Sequence, residues 1–301
     1  MTAQQPTPGP PRRPLGARNP GDAWVVAPTG ERYWGRFGAA GLLAVDPTRG
    51  VLLQHRVSWS HFGGTWALPG GARHEGESAH DAAVREAKEE AGVPHRDIRT
   101  RFMSVLDLGY WSYATVVADV TRSFEPVISD PESVELKWVP VDDVAAYPLH
   151  PGFEKAWGRL RSLVDVRPAV VVDAANVVGS VPDGWWRDRA GAASRLVRRI
   201  DRLASAGIAA SALDMAEDRW FPEWSVVLEG EARGADAAPD GIGVVRASAG
   251  GDDAIAAEAH RLVASGHAVD VVTGDRELAA RVTEAGARVR GARWLTDLLA
   301  D

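Results

Sequence analysis

Cysteine is absent from this 301-residue chain, which excludes a disulfide framework, a thiolate metal site and a cysteine nucleophile. Any metal must therefore be held by carboxylates, carbonyls or imidazoles. Lysine is nearly absent as well: Lys88, Lys137 and Lys155 are the only three, while arginine and alanine are plentiful. That bias reads as the codon usage of a GC-rich genome and carries no functional signal. A net charge of −7 excludes a broadly cationic nucleic-acid coat but leaves room for a local basic patch. No stretch approaches the roughly 20 apolar residues that a membrane span requires. Residues 1–20 hold six prolines and no apolar run, so they lack the core of a signal peptide. A disordered tail and a cytoplasmic protein with no membrane partner are expected.

What is present is ordinary for a globular protein: 45% of residues are hydrophobic and 25% charged. The length points to two domains. Between Trp24 and about Val164 strands and helices mix. Apolar runs at Ala39–Val45 and Val51–Val57 flank the turn signal Asp46-Pro-Thr-Arg-Gly50. A loop over Ser58–Ala72 leads to a helix at about Ser78–Glu90, then strands at Ile98–Leu108, Tyr110–Val120 and Glu135–Val139. His150–Val164 reads as a closing helix. After Asp165-Val-Arg-Pro168 the pattern restarts. Strand-like runs at Val170–Val172, Val226–Leu228, Gly243–Arg246 and Val269–Val272 alternate with helical ones at Arg187–Ala206, Asp253–Ala264 and Arg276–Ala285. Such alternation predicts a mostly parallel sheet with helices on both faces, and a domain boundary at 164/165.

The first candidate site is the pattern Gly-x5-Glu-x7-Arg-Glu-Ala-x-Glu-Glu-x-Gly-Val, which runs from Gly71 to Val93. On a helix Glu86, Glu89 and Glu90 are i, i+3 and i+4, so their carboxylates share a face, with Val84, Ala87 and Ala91 free to pack on a sheet. Ser78 with Asp81 suits the helix start, and Gly92 its end. Three like charges on one face repel each other, and a hard divalent cation removes that cost. A merely solvated acidic face is the bland alternative, but the seven residues Gly71, Glu77, Arg85, Glu86, Glu89, Glu90 and Gly92 match by chance about once in 10⁸ starting positions.

This pattern resembles the Nudix box of the Nudix hydrolases, as does the preceding Trp66-Ala-Leu-Pro-Gly-Gly71. The resemblance spans about Trp24–Val164. It implies an α/β/α sandwich with a mixed sheet that binds Mg²⁺ or Mn²⁺ and hydrolyses the diphosphate linkage of a nucleotide substrate. Carried over by position, Glu86, Glu89, Glu90 and the Gly71 carbonyl would be metal ligands, Arg85 would orient them with the help of Glu77, and Glu86 is the first choice of base. Glu132 or Glu135 could serve instead as base or extra ligand. Trp59, His61 and Phe62 before the box, and Tyr110, Trp111 and Tyr113 after it, could stack on a base or simply pack; Trp59, Phe62 and Tyr110 are the substrate-binding candidates. The proline that marks ADP-ribose hydrolases would fall near Gly109, where there is none. The tyrosine that marks dinucleoside-polyphosphate hydrolases would fall near Tyr110.

A second candidate site lies in Val170-Val-Val-Asp-Ala-Ala-Asn176, Gly251-Asp-Asp-Ala-Ile255 and Val271-Val-Thr-Gly-Asp-Arg-Glu-Leu278. Residues just beyond the carboxyl ends of parallel strands converge on one crevice. Asp173 and Asp275 each follow a strand, although Asp252, Asp253 and Asp275 also stand where helix N-caps are expected. Together the three motifs resemble the NYN group of the PIN-like nucleases, over about residues 167–301. The resemblance implies a Rossmannoid domain, with Asp173, Asp252 and Asp275 as metal ligands, Asn176 and Asp253 in support, and Glu229 or Glu231 as a further acid. Arg187, Arg189, Arg195, Arg198, Arg199 and Arg202, with Trp185 and Trp186, could bind RNA or be a solvated face. Besides a Nudix pyrophosphohydrolase fused to a nuclease-type domain, two readings stay open: a non-catalytic nucleotide sensor, and a two-domain enzyme of RNA 5′ ends.

Overall fold

A computed structural model describes residues 19–182, 184–236 and 241–300. Residues 1–18 of the expected tail lie outside the described residues. The chain divides into two compact units between Val164 and Asp165.

The first unit comprises strands β1 (Trp24–Val26), β2 (Arg32–Trp34), β3 (Ala39–Asp46), β4 (Gly50–Arg56), β5 (Trp66–Ala67) and β6 (Gly70–Ala72). Helix α1 (Ala79–Ala91), β7 (Ile98–Asp107), β8 (Ser112–Val120), β9 (Ser133–Val139) and helix α2 (Pro151–Leu163) follow. Its sheet is mixed, in the order β7-β8-β3-β4-β5: β3 and β8 run parallel, while β7–β8, β3–β4 and β4–β5 are antiparallel. All eight residues of β3 are buried, which is why it reads as a continuous apolar run and not an alternating one.

The turn between β3 and β4 is built by Asp46. Its carboxylate accepts from the Thr48 N–H at 2.9 Å, the Thr48 hydroxyl at 2.8 Å and the Arg49 N–H at 3.0 Å. Burial works against the charge, yet these bonds hold the Asp46 carboxyl down at about 2. Gly50 follows at φ 94°, and a Cβ there would lie 2.1 Å from the Val139 carbonyl oxygen. Beyond Val45↔Val51 the two strands part: β3 pairs with β6, and β4 with β9 and β5. The Leu68-Pro69 crossing enters this fork, where the Pro69 carbonyl accepts from the Leu42 N–H at 3.0 Å. The segment expected as one loop over 58–72 thus contains two short strands, which sets the glycines of β6 beside β3.

Helix α1 starts at Ser78, whose hydroxyl accepts from the Asp81 N–H at 3.0 Å, and stops at Gly92 in the left-handed region, φ 65°. Ala82, Ala83, Ala87 and Ala91 pack it onto Ala40, Leu42, Ala44, Ala114, Val116 and Ala118. Val84 is only half-buried, so the expected packing face is shifted. The alanines allow close approach to the sheet, and the helix turns far enough to bury Glu90 as well.

The second unit contains β10 (Pro168–Asp173), α3 (Ala174–Gly179), α4 (Arg189–Ala206), β11 (Ile208–Ala209), β12 (Arg219–Trp220) and β13 (Glu223–Leu228). It continues through β14 (Gly243–Arg246), α5 (Gly251–Ala264), β15 (Ala268–Val272), α6 (Arg276–Glu284), β16 (Arg288–Arg290) and α7 (Ala292–Ala300). Five strands form a wholly parallel sheet in the order β14-β13-β10-β15-β16. Ala169 and Val171 pack with Ile255, Ala259, Leu262, Leu278 and Val282 of α5 and α6. Val170 and Val172 alternate to the other face, where α4 and α7 meet β13 and β15, and both are fully buried. Helices on both faces explain the uninterrupted valines of β10.

Candidate active site

In the first unit the helix and the glycine strand face each other. The Gly70 N–H donates to Glu90 Oε2 at 2.9 Å. A Cβ on Gly71 would lie 2.7 Å from the Glu86 carboxyl carbon, so the missing side chain is what admits that carboxylate. Arg85 grips Glu77 with two parallel bonds, Nε to Oε1 at 2.8 Å and a terminal nitrogen to Oε2 at 2.9 Å. It also reaches the Ala72 carbonyl at 3.1 Å, Glu86 at 2.8 Å and Glu89 at 3.2 Å. The Glu77 Oε2 accepts in addition from the His74 N–H at 2.9 Å, and Arg85 holds the Glu77 carboxyl below its ordinary range. Glu86 and Glu90 are therefore turned to the glycines, while the Glu89 side chain remains 59% exposed at the edge.

Burial pushes the Glu86 carboxyl up to about 7, partly offset by Arg85 and reinforced by the charges of Glu89 and Asp22. Glu90 lies well above its ordinary value, first because it is buried and then because of Glu86 and Asp130. Sequence reasoning missed both aspartates. Asp130 accepts from the Ser133 hydroxyl at 2.7 Å, which in turn accepts from the Gln54 amide at 2.7 Å. Of the two acids named instead, Glu135 is exposed on β9, and Glu132 offers its backbone carbonyl to the Val57 N–H at 2.9 Å. No spacing rule reveals that the loop before β9 brings Asp130 within the field of Glu90. The signal available was only the Asp-x-x-Ser turn pattern.

Among the described residues no three His, Asp or Glu side chains are drawn together tightly enough to cage a metal ion. The donor set nevertheless fits a hard cation. Its atoms are all oxygens, two of the carboxyls are buried and strained by like charge, and Gly71 leaves room beside them.

The three substrate-binding candidates are not brought onto one platform. Phe62, exposed and at φ 53°, meets the rings of His61 at 4.2 Å and His150 at 4.8 Å. Tyr110 belongs to another group, with Tyr33 at 5.9 Å, beside a cleft of about 200 Å³ lined by Arg36, Phe37, Asp107 and Trp111. Trp59 is half-buried and has no ring partner among the described residues. The unforeseen β1–β2 hairpin separates the groups: Trp24 touches His61 and Trp34, whereas Tyr33 touches Tyr110 and Trp111. Tyr113 is a neighbour of the carboxylates. Burial pushes its hydroxyl up, Glu90 and Glu86 add to that, and its oxygen would lie 2.3 Å from a Cβ on Gly41.

His150 caps α2, its Nδ1 accepting from the Gly152 N–H at 3.1 Å. Burial, then the charges of Arg56 and His61, push it down from 6.5 to about 4. The unfolded chain thus takes up this proton first, so the contribution is fully present above about pH 6.5 and is lost as pH falls towards 4. The whole effect is at most roughly 3 kcal/mol. His150→Asn keeps a capping oxygen and does not titrate; in urea unfolding it is expected to flatten the pH dependence across this window. An unchanged slope would place the acid sensitivity elsewhere.

In the second unit Asp173 ends the central strand and is buried. It also caps a helix: Oδ1 accepts from the Asn176 N–H at 3.0 Å and opens α3. That helix is only six residues long, too short to display a helical period in the sequence. Oδ2 accepts from the Thr273 hydroxyl at 2.8 Å. Asp275 caps α6 through the Leu278 N–H at 2.8 Å. Asp252 and Asp253 stand in the first turn of α5 and do not cap it; the N-cap is Gly250, and the Gly251 N–H donates to Glu229 at 2.8 Å. Asp253 pairs with Arg281 at 2.7 Å. Burial raises Asp173, with the charges of Asp252 and Glu229 adding to it. Asp252 is likewise raised, by burial and then by Asp275 and Glu229. Glu229 thus acts on both Asp173 and Asp252, and Asp275 on Asp252, beyond the carboxyl ends of β10, β13, β14 and β15. Glu229 is the acid among them, while Glu231 is exposed and lies 3.7 Å from Arg189. Asn176 lies against Gly274.

The arginine run is less basic than its count suggests. Arg187 precedes α4, while Arg195 and Arg198 face Asp188 at 4.0 Å and Asp236 at 3.4 Å. Arg199 donates to the Leu299 carbonyl at 2.9 Å. Trp186 is exposed beside Trp185.

No helix among the described residues is long and apolar enough to cross a membrane. A family model described as the NUDIX domain matches residues 35–158. A Mycobacterium tuberculosis protein named "Putative 8-oxo-dGTP diphosphatase 3" is 49% identical over 155 residues, covering 48% of this chain and 71% of that protein. A Bifidobacterium longum nucleoside triphosphate pyrophosphatase/Nudix hydrolase fusion protein is 41% identical over 154 residues, 48% of this chain and 32% of that one. A solved Nudix hydrolase from M. smegmatis has 49% identity and a TM-score of 0.45 over 48% of this chain and 94% of its own. With Glu86 and Glu90 set against Gly70 and Gly71, and with the family model and the M. tuberculosis relative matching the same unit, the chain belongs to the Nudix family and is a hydrolase.

Proposed function

We propose that the first unit is a Mg²⁺- or Mn²⁺-dependent pyrophosphohydrolase that cuts the diphosphate linkage of a nucleoside triphosphate or a derivative of one. The observation that carries this reading is the pair of buried carboxyls, Glu86 and Glu90, held against Gly70 and Gly71 with a neighbouring Glu89. Glu86, Glu89, Glu90 and the Gly71 carbonyl would hold the cation. Such a cation polarises a phosphoryl oxygen and acidifies the attacking water. Glu86, set against Gly71 and held by Arg85, is the first choice to accept a proton from that water. Water oxygen bonds to phosphorus, the bridging oxygen leaves with pyrophosphate, and the nucleoside monophosphate remains. Arg85, anchored on Glu77, keeps Glu86 and Glu89 in place throughout.

The relative whose name carries 8-oxo-dGTP makes that compound the first substrate to try. Incubating the full chain and Mg²⁺ with 8-oxo-dGTP, dGTP, the other nucleoside triphosphates, ADP-ribose and a dinucleoside polyphosphate, followed by chromatography, tests the reading. Monophosphate and pyrophosphate from a triphosphate are expected. Binding without turnover for every compound would favour a nucleotide sensor.

For the second unit we propose a PIN-like domain that cleaves RNA with the help of a divalent cation. Support comes from the parallel sheet with Asp173 at the end of its central strand, and from the charges of Asp252 and Glu229 on Asp173 and of Asp275 and Glu229 on Asp252. Asn176 and Thr273 would position Asp173, and the exposed Trp186 near α4 would give a base a surface to stack on.

A further inference from the structure

We infer that Gly21, which lies ahead of the stretch matched by the family model, is a positioning residue for the cation face: its bare backbone seats the end of β6. The inference rests on the reading of the Glu86–Glu90 face as a cation site.

Strand β6 is three residues long, and each residue shapes the site. The Gly70 N–H holds Glu90 at 2.9 Å, Gly71 makes room for the Glu86 carboxylate, and the Ala72 carbonyl accepts from Arg85 at 3.1 Å. One edge of the strand is fixed by β3 through the rungs Ala39–Ala72, Ala40–Gly71 and Gly41–Gly70. Its exit is Arg73, whose N–H donates to the Gly38 carbonyl at 3.0 Å. The Arg73 carbonyl lies so close to Gly21 that a Cβ on Gly21 would stand 2.2 Å from the oxygen. Gly21 is buried and its backbone lies outside the left-handed region, so close approach alone is what demands a glycine here.

The turn that carries Gly21 is tied down. Asn19 Oδ1 accepts from the Gly21 N–H at 2.9 Å, and the Asn19 carbonyl accepts from the Asp22 N–H at 2.9 Å. The Gly21 carbonyl accepts from the Ala23 N–H at 2.9 Å and the Arg36 N–H at 2.8 Å, and the Ala23 carbonyl from the Gly35 N–H at 3.0 Å. These bonds join the turn to itself and to the chain entering β3, so a side chain on Gly21 would displace the Arg73 carbonyl before it displaced the turn. Residue 73 is two positions past Gly71, so the push starts within about 7 Å of extended chain from the rung that carries Glu86. Mg²⁺ tolerates little drift, because it demands near-octahedral oxygens at about 2.1 Å. Asp22, the next residue of the turn, adds its charge to the surroundings of Glu86, in keeping with a turn that lies beside the carboxylates.

Calorimetric titration of the full chain with Mn²⁺ tests this. The component of binding that Glu90→Gln removes marks the cation of the first unit. Gly21→Ala is expected to weaken that component by about 10-fold, the scale of a lost support around a metal site, and to leave the rest of the titration unchanged. The Mg²⁺ concentration for half-maximal triphosphate hydrolysis should rise by the same factor, while KM for the nucleotide at saturating Mg²⁺ stays within about 2-fold. Asn19→Ala removes the acceptor of the Gly21 N–H and adds no atom, so it should weaken the same component to a smaller extent and decides the matter if Gly21→Ala does not fold. A lowered metal-free Tm with an unchanged Mn²⁺ component would make Gly21 a residue of the fold alone and overturn the inference. A wild type with no component that depends on Glu90 would retire the cation reading and the inference together. A component present in wild type and intact in both variants would overturn the inference alone.

Discussion

Glu89→Gln and Glu90→Gln are each expected to lower kcat for triphosphate hydrolysis by about 100-fold or more, with little change in fold. An amide matches a carboxylate in size but brings no charge to a hard cation. The two positions test the claim differently. Glu89 is 59% exposed and among the described residues is tied only to Arg85 at 3.2 Å, so its replacement should alter stability by no more than about 0.5 kcal/mol. Glu90 is buried, and a glutamine there can keep an oxygen on the Gly70 N–H that now lies 2.9 Å from Glu90. It also removes a carboxyl that burial and like charge disfavour in its ionised form, so the metal-free protein should not lose stability. Activity lost without stability lost separates a ligand from a packing residue. Wild-type kcat in both variants would rule out the carboxylate face as the reacting one.

Asp173→Asn is expected to abolish metal-dependent cleavage of single-stranded RNA by the full chain, a drop of about 100-fold or more. The asparagine can still cap α3 through one oxygen, replacing the present acceptor of the Asn176 N–H. What disappears is the negative charge at the centre of the sheet, where Asp252 and Glu229 already act on Asp173. Single-stranded RNA incubated with Mn²⁺ or Mg²⁺ and separated on a denaturing gel reads the result. Intact RNA with wild type, or equal cleavage by Asp173→Asn, would remove the nuclease claim and leave Asp173 a helix cap.

Local chemistry made part of this molecule legible. Ser78 and Gly92 bracket α1 within a residue of the expected helix because capping is decided by the residues themselves. The period of Glu86, Glu89 and Glu90 sets them along one side of α1, but only Glu86 and Glu90 turn to the glycines, while Glu89 stays exposed at the edge. What the sequence could not show depends on longer-range geometry. The three-residue strands β1 and β2 are too short to display a period, yet they carry Trp24, Tyr33 and Trp34 into the ring groups. Helix α3 spans only six residues, too few to display a period, so Asp173 looked like a strand end alone. Asp130 needs the whole loop between β8 and β9 to curl back before its charge reaches Glu90.

The most direct measurement is hydrolysis of 8-oxo-dGTP by the full chain in Mg²⁺, alone and with excess EDTA, alongside Glu90→Gln. Monophosphate and pyrophosphate should accumulate with wild type and Mg²⁺, and fall to background both with EDTA and with the variant. Undiminished turnover in EDTA would contradict a reaction built on Glu86, Glu89 and Glu90 as cation ligands.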